Sequence, residues 1–279
     1  MIPYKNWYNM ILLTYQLSNM KNKIISFKTF ERLFDSFAPR KAAEFEFSGV
    51  IGNTRIAKKQ IKKIALTLDL TSDSVQEALR KKSDCLVAFH APDSLSKRNL
   101  WQDRIKKLAD GKITLYKAHL RLNFCKEGVN HVLCSMCGFD AIPLTFLFED
   151  KFTVVGGVYM ITGTYSLQEI LRKLKAISPP EIRVFNHKKN SRYHTILIAS
   201  GSGFKKEFFE TFRPDAIISG EVKHSTIYLA KEYGATLIEA THWATEDRPL
   251  KIISQTLEKE LGIPVEYISL PLKMKTYQK

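Results

Sequence analysis

Short apolar segments alternate with amphipathic segments along most of this chain, and this alternation limits its fold more than any other feature. The segments KKIALTLDL, DCLVAFHAP and ITLYKAHL have the length and composition of buried strands. The segments between them, TSDSVQEALRKK and LSKRNLWQDRIKKLAD, are predicted helices, and the first is opened by a Thr/Ser cap. The alternation therefore predicts an α/β layer structure.

The second half of the chain repeats the first half. Residues 64–90 align with residues 195–221 at an offset of 131 without a gap, so that IALTLDLTSDS lies over TILIASGSGFK. With a gap, LADGKITLYKAHLRLN then lies over LAKEYGATLIEATHWATE. We therefore predict two similar domains, at 23–150 and 151–279, and we expect 64–90 and 195–221 to superpose as one strand–helix–strand unit.

Polar side chains recur where the predicted strands end. They are His90, His119, Asn123, Glu221, His224, His242 and Glu246. In open α/β sheets, ligands bind at the carboxyl ends of the strands. Two histidines and a carboxylate are a ligand set suited to zinc, manganese or iron(II), although each histidine alone is also compatible with a hydrogen-bonded core residue.

The choice between a metal ligand and a hydrogen-bonded histidine is clearest in the stretch EATHWATEDRP, because His242 and Glu246 follow the apolar strand ATLIEA directly. Residues four apart share one face if the backbone becomes helical there. The pair is then either a metal-binding pair or a surface hydrogen bond. The matching strand-end residues in the first half favour the metal.

The cysteines and the glycine-rich turn each allow two interpretations. Cys134 and Cys137 form a C-x-x-C in a predicted helix ended by Gly138, but a second pair with zinc-ribbon spacing is missing, which favours core thiols. The turn SGSGF follows a strand and precedes a helix. Gly201, Ser202 and Gly203 are therefore candidate phosphate-binding residues, with a simple tight turn as the alternative.

The chain has 279 residues and a net charge of +15. Residues 1–63 hold 12 Lys/Arg against 4 Asp/Glu, an excess that favours anionic partners such as nucleotides or nucleic acid. For KKQIKK at 58–63, a solvated surface is the better interpretation than a nucleic-acid contact. No apolar run is long enough to span a membrane, and we expect a cytoplasmic protein. Residues 1–22 are interpreted as an N-terminal extension that folding and metal binding do not require.

These residues resemble the NIF-three-like family, whose bacterial members are named GTP cyclohydrolase I type 2 homologues. The resemblance covers about nine-tenths of the chain, from Phe27 onward. The family's HHP falls on FHAP, its HTNLD…GGVN on HLRLNFCKEGVN, and its glycine-rich linker on VVGGVYMITGTYSLQEILRKLK. Its GGSG, TGD…H and GHYxxE fall on ASGSGF, SGEVKH and THWATE.

The resemblance implies a two-metal centre of which one half is lost. Phe89 replaces the first ligand histidine, and Asn123 replaces the ligand aspartate. The ligands of the other metal, His90, His242 and Glu246, are retained. The implied cofactor is one divalent ion per subunit, with His119, His224 and Glu221 as candidates for acid/base or ligand-orienting roles.

The family further implies two similar domains with mixed sheets flanked by helices, the metal site between them, and a ring-like homo-hexamer. The implied function is a metal-dependent hydrolase or cyclohydrolase acting on a nucleotide or related phosphorylated compound. Two alternatives remain: a metal-binding or regulatory protein without turnover, and a nucleic-acid-associated protein.

Overall fold

Two mixed sheets contain the segments predicted as strands, together with strands that were not predicted, among them Gly49–Ile51, Arg183–Phe185 and Val265–Ile268. The structure is a computed structural model that describes residues 23–52, 60–92, 100–148, 152–204 and 206–271. In chain order the strands are β1 (Ile25–Ser26), β2 (Gly49–Ile51), β3 (Gln60–Ile61), β4 (Ile64–Asp69), β5 (Cys85–His90), β6 (Thr114–Lys117), β7 (Ala141–Phe148), β8 (Phe152–Ile161), β9 (Tyr165–Ser166), β10 (Arg183–Phe185), β11 (Arg192–Tyr193), β12 (Ile196–Ala199), β13 (Ala216–Ser219), β14 (Thr236–Glu239) and β15 (Val265–Ile268).

The helices follow the predicted alternation. In chain order they are α1 (Phe27–Phe37), α2 (Ser72–Arg80), α3 (Leu100–Asp110), α4 (Leu120–Phe124), α5 (Val129–Met136), α6 (Leu167–Leu174), α7 (Lys206–Phe212), α8 (His224–Glu232) and α9 (His242–Leu261), with 3-10 turns at Arg40–Ala43 and Lys175–Ile177. In the described ranges no helix combines the length and apolarity needed to cross a membrane. The prediction of an α/β fold with mixed sheets flanked by helices is confirmed.

The described part of the first compact unit consists of residues 23–37, 47–52, 60–92, 100–119 and 254–268. Its sheet has the strand order β15-β4-β5-β6-β2, parallel except for β2, which runs antiparallel to β6. The register pairs Asp69 with His90 at the carboxyl ends of β4 and β5. The sheet thus delivers these two polar side chains to one edge.

The described part of the second unit consists of residues 38–46, 120–148, 152–204, 206–253 and 269–271. Its sheet has the order β10-β14-β13-β12-β8-β7, in which β12, β13 and β14 are parallel and the outer strands antiparallel. Ser219 pairs with both Ala199 and Glu239, so the three parallel strands end together. The loops that begin at Ser200, Gly220 and Ala240 consequently leave the same edge.

Apolar side chains on both faces of this second sheet explain its position inside the unit. Ile196, Ile198, Ile218 and Ile238 belong to one buried cluster. Leu197, Ile217 and Leu237 belong to a second cluster, together with residues of α7 and α8. Because successive strand residues point to opposite faces, these apolar runs are buried on both sides, as expected for parallel strands covered by helices.

Local capping chemistry sets several helix ends. Thr71 forms a capping box with Ser74 at the start of α2, and Ser166 forms one with Glu169 at the start of α6. Gly138, with φ +63°, follows the C-cap of α5, as predicted for GVNHVLCSMCGFD. The two capping boxes each satisfy an otherwise free N–H group in the first turn and fix where α2 and α6 begin.

The compact units differ from the predicted boundaries of 23–150 and 151–279. Residues 120–148 lie in the second unit because β7 pairs with β8, and residues 254–268 lie in the first because β15 pairs with β4. These are long-range pairings that local patterns do not reveal. The segment ITLYKAHL is also shorter as a strand than predicted, since β6 ends at Lys117 and α4 begins at Leu120.

The two aligned segments share a topology. Each forms strand, helix and parallel strand, with β4-α2-β5 in the first unit and β12-α7-β13 in the second. Their strand registers differ by one residue, because Ile64 pairs with Cys85 while Ile196 pairs with Ala216. The two segments therefore share their element order and parallel pairing, and their superposition as a repeat stays a prediction. Residues 1–22 and Lys58–Lys59 lie outside the described residues.

Candidate metal site

The pair predicted in EATHWATEDRP stands at the start of α9. Strand β14 ends at Glu239, and helix α9 begins at His242. His242 Nε2 lies 3.0 Å from Glu246 Oε2, as expected for residues four apart on one helical face. Glu246 is only 2% exposed. Because carboxylates are rarely buried without a charged partner or a metal, a simple surface hydrogen bond does not describe this pair.

A second carboxylate contacts the same imidazole from the loop after β13. Glu221 Oε2 lies 2.9 Å from His242 Nδ1. Burial acts to lower the pKa of His242, but the hydrogen bonds and charges of Glu246 and Glu221 outweigh it and raise the pKa to about 9. At neutral pH the His242 ring of the metal-free chain thus carries a second proton, and a metal ion must displace that proton to bind there.

Gly201 provides the space that Glu246 occupies. A Cβ atom at this position would lie 2.3 Å from Glu246 Oε1 and 3.0 Å from His242 Nε2. The backbone of Gly201 also has φ +56°, which favours glycine. Its N–H donates to Thr245 Oγ1 at 3.1 Å, and its carbonyl accepts from the N–H of Glu221 at 2.9 Å. The SGSGF turn is therefore tied to both Glu221 and the first turn of α9.

This geometry reduces the donors that the SGSGF turn offers to a phosphate. The N–H of Gly203 donates to Ser200 O at 3.3 Å, and the N–H of Gly201 is already used by Thr245. Phosphate binding by Gly201, Ser202 and Gly203 stays a prediction. The role that the structure gives to Gly201 is steric.

In the first unit, His90 ends β5 and contacts the side chains of Asp69, Phe89 and His119. Its Nδ1 lies 2.9 Å from Asp69 Oδ1, across the register between β4 and β5. Its ring centroid lies 4.9 Å from that of Phe89 and 5.0 Å from that of His119, and the rings of Phe89 and His119 lie 4.8 Å apart. Phe89 is fully buried, so a core aromatic ring lies at the position where the resemblance implies a ligand histidine.

Asn123, at the position where the resemblance implies a ligand aspartate, is engaged in a buried hydrogen-bond network of the second unit. Its Oδ1 accepts from Ser200 Oγ at 3.2 Å. Asn130 donates to the carbonyls of Asn123, Gly156 and Gly157 and accepts from the N–H of Ser200. The amide thus acts as a structural group between α4 and the loop after β12, and its loss as a ligand stays a prediction.

His224 stands apart from these groups in its contacts. It is exposed at the first position of α8, and its ring packs edge-on against Tyr228, one turn later, with centroids 4.9 Å apart. The structure therefore shows an edge-on ring contact for His224, and its acid/base role stays a prediction.

His90, His242 and Glu246 form one potential metal-binding group among the described residues, each with a single ligand atom to offer. Imidazole nitrogens and a carboxylate oxygen are the donors that zinc takes in catalytic sites. Two donors that each lie about 2.0–2.2 Å from one ion are about 3–3.5 Å apart. The 3.0 Å between His242 Nε2 and Glu246 Oε2, with room made by Gly201, fits such an ion.

Sequence reasoning missed Asp69 and the steric role of Gly201. Asp69 lies within the predicted strand segment KKIALTLDL, and only its position at the end of the strand distinguishes it as a candidate site residue. A spacing could have revealed it, since Asp69 precedes His90 by 21 residues and Glu221 precedes His242 by the same number.

The cysteines behave as the core thiols that the sequence favoured. Cys85, Cys125, Cys134 and Cys137 are free and buried. Burial raises the pKa of Cys125 and Cys137 to about 12, so the thiolate that redox or metal chemistry requires is disfavoured.

Comparisons with known proteins agree with these observations. A family model described as Duf34/NIF3 (NGG1p interacting factor 3) matches residues 25–273. A Clostridium acetobutylicum protein named GTP cyclohydrolase 1 type 2 homolog is 25% identical over 242 residues, which are 82% of this chain and 88% of that protein.

Solved structures show the same fold. Reduced HcgD from Methanocaldococcus jannaschii has a TM-score of 0.74 and 24% identity, and the match covers 89% of this chain and 99% of that one. A Bacillus cereus protein related to NIF3 has a TM-score of 0.72 and 14% identity, with 92% and 100% covered. The resemblance predicted from the strand-end motifs is confirmed. Since the family model spans most of the sequence, the chain belongs to the Duf34/NIF3 (NGG1p interacting factor 3) family.

Proposed function

We propose that this chain binds one divalent metal ion per subunit through His90, His242 and Glu246. The observation that carries the proposal is the 3.0 Å approach of His242 Nε2 to a carboxylate that is 2% exposed. Zinc, manganese and iron(II) all accept two histidines and one carboxylate, with water completing the shell.

We further propose that the site serves a hydrolase or cyclohydrolase acting on a nucleotide or related phosphorylated compound. Bound to these ligands, the ion would lower the pKa of a water molecule and supply a nucleophile near neutral pH. His119, whose ring lies beside His90, and the exposed carboxylate of Glu221 are the groups suited to move protons there. The name GTP cyclohydrolase 1 type 2 homolog of the curated relatives supports a nucleotide substrate. We also propose that the protein is cytoplasmic and that it assembles as a homo-hexamer.

A second candidate function is metal binding or regulation without turnover. The observation that favours it is the loss of donors: Phe89 is a buried ring packed on His119, and the Asn123 side chain is tied to Ser200. A nucleic-acid-associated protein is a third candidate, supported by the net charge of +15. Steep dependence of DNA or RNA binding on salt concentration would favour it.

A metal-supplemented screen of nucleotides and phosphoesters tests the proposal. We expect turnover that is lost on chelation, restored by metal and abolished in His242→Ala. His194→Ala is a matched control, because His194 is exposed and hydrogen-bonds Thr164 instead. Turnover that survives both chelation and His242→Ala would reject a metal-dependent enzyme. Stoichiometric metal binding without turnover of any compound would favour the regulatory function.

A further inference from the structure

Each candidate ligand histidine has a carboxylate within hydrogen-bond distance of its Nδ1 nitrogen. His90 Nδ1 lies 2.9 Å from Asp69 Oδ1, and His242 Nδ1 lies 2.9 Å from Glu221 Oε2. His242 Nε2 faces Glu246 instead. Both carboxylates precede their histidine by 21 residues. In each unit, the carboxylate and the histidine thus come from the ends of two neighbouring strands.

The chemistry of these contacts fixes which nitrogen is protonated. An ionised carboxylate can only accept hydrogen bonds, so Nδ1 must carry the proton in both pairs. In the neutral imidazole the other nitrogen, Nε2, then keeps its lone pair. At His90 the nitrogen opposite the carboxylate is thus the one that can bind a metal. At His242, Nε2 also faces the Glu246 carboxylate, so a metal bound there replaces the second proton of the ring.

The backbone holds both carboxylates in place. Asp69 is paired with His90 in the β4–β5 register. The N–H of Glu221 donates to Gly201 O at 2.9 Å, and its carbonyl accepts from Ser219 Oγ at 3.1 Å. Asp69 and Glu221 are themselves about half exposed, at 50% and 55% of their side chains. Exposed pairs of polar side chains add little to folding stability, so stability alone does not explain these contacts.

We propose that Asp69 and Glu221 are positioning residues that hold His90 and His242 in the Nδ1–H form and so present Nε2 of each ring to the metal. The proposal rests on the proposed metal site and deepens it, because it adds Asp69 to the groups that determine metal affinity. Carboxylates that accept from ligand histidines orient the ring and raise its basicity.

Two measurements on the full chain test the proposal. The first is the zinc affinity of wild type, Asp69→Asn and Glu221→Gln, determined by competition with a chromophoric chelator. We expect each variant to bind zinc about 10- to 100-fold more weakly, with an unchanged thermal midpoint. Asp73→Asn is the matched control, because Asp73 is exposed in the first turn of α2, four residues after Asp69, and should leave the affinity unchanged.

The second measurement is the tautomer of the His90 ring in metal-free protein, read from ¹⁵N chemical shifts at a pH where the ring is neutral. We expect the Nδ1–H form in wild type and a mixture of tautomers in Asp69→Asn. Zinc affinity within twofold of wild type in both variants, or an Nε2–H form in wild type, would overturn the proposal.

The two measurements separate this proposal from the proposed function. If wild type binds no divalent ion, the metal site is rejected, and with it the positioning role. If wild type binds zinc while Asp69→Asn and Glu221→Gln bind it equally well, only the positioning role is rejected. Should Asp69→Asn fail to fold, the wild-type tautomer and Glu221→Gln still decide.

Discussion

At the scale of single residues, Gly201 is a position of the candidate site that tolerates little change. Two separate demands meet there: a left-handed backbone and the absence of a Cβ atom beside Glu246. A substitution therefore tests the site without removing a ligand. The two demands can be separated at Gly234, which has a similar φ of +69°, because a Cβ atom there would come no closer than 3.9 Å to Lys188 Nζ.

We expect Gly201→Ala to weaken zinc binding at least tenfold, because the new methyl group displaces the Glu246 carboxylate. Gly234→Ala is the control, and it should cost about 1 kcal/mol of unfolding free energy without changing zinc affinity. Chelator competition and chemical denaturation measure the two quantities. Equal zinc affinity in Gly201→Ala and wild type would show that Glu246 is not a ligand.

Thr241, directly before α9, has φ +63°, which is strained for a β-branched residue. Its Oγ1 accepts from Ala244 N at 3.4 Å, so it also caps the helix. Asparagine tolerates this conformation and caps helices well. We expect Thr241→Asn to raise the free energy of unfolding by about 0.5–1 kcal/mol and Thr241→Ala to lower it, both measured by urea denaturation. A destabilised Thr241→Asn would contradict the strain argument.

The sequence predicted His242 and Glu246 as a pair because helical spacing alone places them on one face. It did not predict Asp69, since a carboxylate at a strand end has no local signal until the neighbouring strand is known. The network of Asn123 and Ser200 was equally hidden, because it joins residues 77 positions apart.

At the scale of elements, an ion cluster ties β15 to its neighbours in the first unit. Glu266 of β15 lies 2.5 Å from Lys63, before β4, and 2.7 Å from Lys81, at the end of α2. Burial acts to raise the pKa of Glu266, but the two lysines outweigh it, and the pKa lies below its ordinary value of 4.5. Because the folded-state pKa is lowered, this stabilisation is present above about pH 4.5 and is lost as the pH falls through the folded-state pKa.

We expect Glu266→Gln to lower the free energy of unfolding by about 0.5–1 kcal/mol at pH 7, a modest value because the side chain is partly exposed. The difference from wild type should shrink as the pH falls below 4.5 and as salt is added. Glu260→Gln, an exposed carboxylate on α9, is the control and should change little. Urea denaturation at several pH values measures the effect, and a difference that stays constant down to pH 3 would contradict it.

Helix α5 and its flanking residues bury the C-x-x-C. We expect a thiol reagent to modify none of the four cysteines of the native chain within minutes at pH 8, and all four after denaturation, because burial withholds the thiolates. Absorbance of the released chromophore gives the count. Rapid reaction of Cys134 or Cys137 in the native chain would revive a redox role.

Element boundaries were predictable where a cap marks them, as at Thr71 and Ser166. They were less predictable after β6, where the apolar pattern of ITLYKAHL continues into α4. The apolar pattern of a sequence shows which residues are buried, and a strand end and a short buried helix give the same pattern.

At the scale of the whole molecule, the proposed content of one metal ion would distinguish this chain from a two-metal protein. We expect about one ion per chain in purified, metal-reconstituted protein, because Phe89 offers no donor and Asn123 only a neutral one. Elemental analysis measures the ratio. Close to two ions per chain, or undiminished binding in His242→Ala, would reject the prediction.

A variant that restores both missing donors tests the same prediction in the opposite direction. Phe89→His with Asn123→Asp should raise the count toward two, since an added carboxylate offsets the repulsion between two nearby ions. Either single substitution serves as the control, because one donor alone does not complete a second site.

The α/β class and the repeat were predictable from apolar alternation, because it reflects burial residue by residue. The composition of the compact units was not. It depends on the return of β15 to β4 and on the pairing of β7 with β8, which no local pattern encodes.

The return of β15 to β4 has a consequence for synthesis on the ribosome. All six strands of the second sheet lie between Ala141 and Glu239, whereas the first sheet lacks one strand until Val265–Ile268 has emerged. Domains form as units during synthesis, in the order in which their parts become available. The second sheet is thus complete while β4 still has an open side, so the half of the protein that is translated first is the half that finishes last.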